Sequence, residues 1–141
     1  MNRVVVGIDG SKGSDVALEW AIAEAELRRA ELRIVHAWHP PYVNASPLSP
    51  TAIDPGIVET AARAVLKEAV DAARTSGLPG VEGKLVLASA AHAVIAESED
   101  ADLVVVGARG LGGFAGLLLG SVSSQVVHHS SCPVVVVPTP R

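Results

Sequence analysis

Aromatic residues make up only 3% of this 141-residue sequence: one Phe, one Tyr and two Trp. A chain so poor in rings has little from which to build the stacking platforms that hold single-stranded nucleic acid. Positive charge is short as well. Eleven Lys and Arg stand against fifteen Asp and Glu, for a formal net charge of −4, and no basic stripe breaks the pattern, which argues against a general nucleic-acid surface. Cys132 is the sole cysteine, so no disulfide can form within the chain and no thiolate-rich structural zinc site can be built. No apolar run approaches the ~18 residues of a membrane span. Met1-Asn2-Arg3 leads straight into Val4-Val5-Val6, too little for a signal peptide. The expectation is a cytoplasmic protein with neither a membrane nor a nucleic acid as partner.

What is abundant is aliphatic. Hydrophobic residues form 49% of the chain, and with so few rings the core must come from Val, Leu, Ile and Ala. Such a core suits strands buried on both faces by helices. Short aliphatic runs at residues 4–8, 32–38, 83–87, 103–106 and 134–137 have strand length. Helical spacing fills the gaps. Val16, Trp20, Ala23 and Leu27 recur on one helix face, as do Val58, Ala62, Val65, Ala69 and Ala73. Shorter helices are expected over residues 91–98 and 120–130. Five strands alternating with four helices predict an α/β domain with a doubly wound parallel sheet, in one unit spanning 1–141. Strand orders 3-2-1-4-5 and 2-1-3-4-5 both satisfy the winding rules, and 3-2-1-4-5 is the one taken forward. In either order, ligands bind beyond the carboxyl ends of the strands, where the winding reverses. Residues 39–55 break the alternation. They hold five of the nine prolines and read as a long loop on that same edge, either functional or a solvated connector.

The chemistry concentrates after the fourth strand. Gly107 and Gly110 let the backbone turn and approach a ligand with no Cβ in the way. Gly120 and Ser121 then open a helix, whose free amides at Gly120, Ser121 and Val122 and whose positive dipole end suit an anion. The hydroxyls of Ser121 and Ser123 add neutral hydrogen bonds. Arg109, inside the loop, either meets a phosphate or faces water. The segment is not a P-loop, lacking the terminal GK[ST], and it does not follow the first strand as a Rossmann fingerprint does. A second element, Gly7-Ile8-Asp9-Gly10-Ser11, ends the first strand. Asp9 there either contacts a ribose or adenine edge, with help to a metal ion, or merely organises the turn, and Ser11 or Ser14 caps the following helix. His36, His39 and His92 are too scattered for a metal site, and His128 and His129 suit the negative end of the last helix. No Ser-His-Asp set, P-loop Lys or Walker-type acid is evident, so efficient hydrolysis is not expected.

Over nearly its whole length the sequence resembles the universal stress protein family. The resemblance is carried by Val4 to Ser11, by Val104-Val105-Val106-Gly107-Ala108-Arg109-Gly110, and by Leu118-Leu119-Gly120-Ser121-Val122-Ser123 on to Val137, which together contain the family's G-x2-G-x9-G-[ST] signature. It implies the nucleotide-binding branch, holding ATP with Mg or Mn. Gly107, Gly110, Gly120 and Ser121 would then be phosphate and ribose contacts and Asp9 an adenine- or ribose-side contact near the metal. The backbone at Val35, His36 and Ala37 would frame the adenine. The family's frequent Gly-x-Pro after strand three is replaced by Ala88-Ser89-Ala90, so a modified pocket, including one preferring cyclic AMP, stays open, as does a slow ATPase or autophosphorylating activity. The resemblance also implies a homodimer through Val134-Val135-Val136-Val137, which fits the pairing tendency of a bare valine edge. A nucleotide-dependent signalling role with an unidentified protein partner follows.

Overall fold

The computed structural model describes residues 2–39, 54–110 and 119–139. Nine elements follow one another: β1 (Arg3–Ile8), α1 (Lys12–Arg28), β2 (Glu31–Trp38), α2 (Pro55–Arg74), β3 (Val81–Leu87), α3 (Ala90–Ser98), β4 (Leu103–Gly107), α4 (Ser121–His129) and β5 (Val134–Val137). All pairings are parallel and the sheet order is β3-β2-β1-β4-β5, so the doubly wound 3-2-1-4-5 expectation holds. Most of the long loop expected over 39–55 lies outside the described residues.

The aliphatic runs become central strands because alternate side chains feed opposite cores. Val4, Val6 and Ile8 pack on one face with α1 and α2, whereas Val5, Val104 and Val106 pack on the other, among residues of α3 and α4. Val5, Val6, Val104 and Val105 are fully buried, and complete burial of one such side chain contributes about 1.5–3 kcal/mol. The winding direction reverses between β1 and β4, which opens a crevice beyond their carboxyl ends.

Two features differ from the sequence expectation. The apolar stripe on α1 is not the face it buries. Ala17, Ala21 and Ala25 lie against the sheet with Gly13, Ser14 and Leu18, while Trp20 and Leu27 are exposed. A row of alanines lets the helix axis come close to the strands, and the bulkier stripe is turned aside. In β5, Val137 alone is buried, with Val134, Val135 and Val136 half-buried rather than enclosed on both faces, because β5 has a strand on one side only.

Candidate functional site

A cleft of about 290 Å³ opens at the carboxyl edge, between β1 and β4 and flanked by the start of α4. Toward β2 its wall is apolar, with Val35 and Ala37 from the strand and Ala90 and Val94 one turn apart on α3. Toward β4 and α4 it is mixed, with the polar groups of Asp9, Ser11, Ser14, Arg109 and Ser121 beside Val106 and Val122. A mainly apolar cleft with a few polar groups at one side suits a ligand with a flat ring system joined to a charged group.

The turn after β1 sets the position of Asp9. Its Oδ1 accepts the Ser11 N–H at 2.9 Å, and its own N–H donates to Ser14 Oγ at 3.2 Å. Ser11 Oγ accepts the Ser14 N–H at 3.2 Å and so caps α1. Gly10, at φ 83°, allows the tight exit from the strand. The turn-organising role and the site role of Asp9 therefore coexist: one oxygen fixes the turn, and Oδ2 lies against Gly110 closely enough that a Cβ there would overlap it.

After β4 the glycines do different jobs. At Gly107 a Cβ would fall 2.8 Å from the Gly13 carbonyl oxygen, so this glycine makes room for α1 as well as lining the cleft. Gly120, whose amide was expected to be free for an anion, instead donates its N–H to the Ala108 carbonyl at 2.6 Å and so ties the loop to the helix start. Ser123 Oγ donates to the same carbonyl at 2.8 Å, a buried tie that commits its hydroxyl to the scaffold. Residues 111–118, the rest of the glycine-rich segment, lie outside the described residues.

The helix starts themselves differ. Ser11, Asp54 and Ser89 cap α1, α2 and α3 with side-chain oxygens, whereas Gly120 gives α4 no side-chain cap. Among the described residues the amides of Ser121, Val122 and Ser123 make no hydrogen bond. Uncapped amides and the positive dipole end thus face the cleft, an arrangement that favours an anion. The charged side chains of the lining are Arg109 and Asp9, so their formal charges cancel.

Thirteen of the fifteen residues singled out from sequence line this cleft; Gly10 and His36 do not. Strand alternation accounts for His36. Val35 and Ala37 project toward α3 and α4, so His36 between them projects to the opposite face, where it is buried and its Nδ1 bonds the Ile8 carbonyl at 3.0 Å. Sequence reasoning missed Ala90 and Val94 as walls, and it named Ser14 only as a possible cap. Their i,i+4 spacing at a helix start on the same edge was the available signal for the pair. Among the described residues no three His, Cys, Asp or Glu gather as metal ligands, and no helix is long and apolar enough to cross a membrane.

The chain can now be set beside known proteins. It is 39% identical over 142 residues to the universal stress protein Rv2623 of Mycobacterium tuberculosis, covering 95% of this chain but 46% of that protein. It is 33% identical to universal stress protein YxiE of Bacillus subtilis, covering 96% and 98% of the two chains. The chain thus spans about half the length of the first mycobacterial relatives it matches. Among solved structures, universal stress protein UspA from Lactobacillus plantarum superposes with a TM-score of 0.83 at 21% identity over 96% and 97% of the chains. A universal stress protein in complex with cAMP gives 0.72 at 33% identity over 99% and 98%. The universal stress protein from Archaeoglobus fulgidus in complex with dAMP gives 0.68 at 25% over 96% and 97%. Residues 1–138 match the profile of the Universal stress protein family, and this chain belongs to that family.

Proposed function

We propose that this chain is a cytoplasmic adenine-nucleotide-binding module of the stress response, holding ATP with Mg²⁺ or Mn²⁺ in the β1/β4 cleft. The observation that carries the reading is the uncapped start of α4 facing a cleft whose far wall is apolar. The amides of Ser121 and Val122 receive phosphoryl oxygens, and Val35, Ala37, Ala90 and Val94 enclose the base. Two relatives with adenine nucleotides named in their structures support the ligand class. Asp9 is the carboxylate of the lining. A single carboxylate fits Mg²⁺ in the manner of an ion that takes most of its ligands from phosphates and water. When bound, such an ion neutralises phosphate charge; the chain's own residues bind and orient the nucleotide. Binding then selects one arrangement of the site for a protein partner to read.

A second reading, cyclic AMP, is favoured by the cancelling charges of Arg109 and Asp9. A singly charged phosphodiester meets less repulsion from Asp9 than a triphosphate does. Isothermal titration with MgATP, AMP and cyclic AMP decides between them. Micromolar MgATP affinity supports the first reading, tighter cyclic AMP the second, and no heat with any of the three removes both.

We also propose that β5 pairs two copies of the chain. It is an edge strand with three half-buried valines, and an unpartnered apolar edge invites pairing. Val136→Glu is expected to convert a dimer to a monomer in sedimentation velocity. A wild-type monomer at micromolar concentration would refute this.

A further inference from the structure

On the sheet face carrying α1 and α2 there is a second concavity. Helix α1 packs chiefly on β1 and β4, and α2 on β2 and β3, which leaves a groove of about 440 Å³ between the two helices. Its floor is aliphatic, formed by Leu18 and Ile22 of α1 and Val65 and Ala69 of α2. Its rim is acidic: Asp15 and Glu19 stand one turn apart on α1, and Glu68 faces them from α2. No Lys or Arg belongs to the lining. Of the helix cations, Arg28 pairs with Glu24, Arg63 with Glu59 and Lys67 with Asp71, each at 2.7 Å, while Lys12 and Arg74 lie outside the lining. Asp15, Glu19 and Glu68 have no ion pair among the described residues.

We propose that this groove docks a cationic amphipathic helix of a partner protein. Apolar side chains of the incoming helix seat on Leu18, Ile22, Val65 and Ala69, and its flanking Lys or Arg meet the three carboxylates. The one-turn spacing of Asp15 and Glu19 matches cations at i and i+4 on a helix, and an apolar stripe laid between two helices is a recurring recognition mode. A divalent cation does not fit, because the described acidic residues do not converge as a ligand set. A second copy of this chain fits less well: the net charge is −4, and Arg28, Arg63 and Lys67 are paired within their own helices. Docking stands independently of the nucleotide reading.

The test is fluorescence anisotropy with a labelled helical peptide of about 18 residues, Leu and Ala on one stripe and Lys on both flanks. The control is a scrambled peptide of identical composition. Binding in the micromolar range is expected, weakened about tenfold by scrambling and about tenfold by Asp15→Lys with Glu68→Lys. The triple variant Asp15→Asn, Glu19→Gln, Glu68→Gln preserves side-chain shape and is expected to lose affinity likewise, with circular dichroism and nucleotide affinity unchanged. Equal binding of both peptides, equal binding by wild type and variants, or no binding at about 100 μM would overturn the proposal. So would a change in the protein's own sedimentation on charge reversal, which would make the groove a self-interface.

Discussion

Replacing Gly110 by valine is expected to raise the dissociation constant for an adenine nucleotide about a hundredfold, a loss of roughly 2.7 kcal/mol, with the fold retained. The argument is steric and local. A Cβ on Gly110 overlaps Asp9 Oδ2. The carboxylate cannot simply swing aside, because Oδ1 holds the Ser11 N–H at 2.9 Å and that bond shapes the entry to α1. Either the loop after β4 moves away from β1 or the Asp9 turn opens, and both displace groups that line the cleft. Gly110 is exposed, so little core packing is lost. Gly80→Ala is the matched control. Its added Cβ meets Glu31 Cγ at an ordinary 3.5 Å, and its nucleotide affinity and thermal midpoint are expected to stay close to wild type. A folded Gly110→Val protein that binds as tightly as wild type would show that the loop after β4 does not shape the site.

The strands were legible because a buried parallel sheet demands uninterrupted aliphatic runs, and residues 4–8 and 134–137 admit no other economical reading. The start of α4 was legible because a glycine-serine pair after a glycine-rich connection has few structural uses. Two kinds of information were hidden. The first is which face of α1 is buried. Periodicity weighs Val16, Trp20 and Leu27 above Ala17, Ala21 and Ala25, yet close approach to a sheet selects the small residues. Size and burial part company wherever a helix axis must lie near its neighbour. The second is the far wall of the cleft. Ala90 and Val94 look like ordinary helix residues, and only the strand order 3-2-1-4-5 brings α3 beside Val35 and Ala37. His36 marks the same limit for side chains: strand alternation turns its imidazole to the opposite face, where Nδ1 bonds the Ile8 carbonyl, and leaves only its backbone on the side of Val35 and Ala37.

Substitution of Glu97, a buried carboxylate on α3, by alanine is expected to destabilise the protein by about 3 kcal/mol. Glu97 accepts from Arg33 Nη1 at 2.7 Å and from Lys84 Nζ at 2.5 Å. Its side chain is 9% exposed and that of Arg33 11%. Removal of the carboxylate strands a guanidinium that has little access to water, with only Glu82 at 3.1 Å and the more distant Asp100 at 3.7 Å to balance it. Burial by itself would raise the Glu97 pKa and lower that of Arg33. Hydrogen bonds and charge outweigh it in both, so Glu97 is held below its ordinary value of 4.5 and Arg33 is raised further. A carboxyl whose folded-state pKa is depressed contributes stability above its unfolded pKa and loses that contribution as pH falls through the folded value. The gap in urea midpoint between wild type and Glu97→Gln is therefore expected to be widest at neutral pH and to close below pH 4.5, as wild-type Glu97 takes up a proton and comes to resemble glutamine. A gap independent of pH would mean that Glu97 acts through shape and packing alone, and that Arg33 and Lys84 find their counter-charge elsewhere.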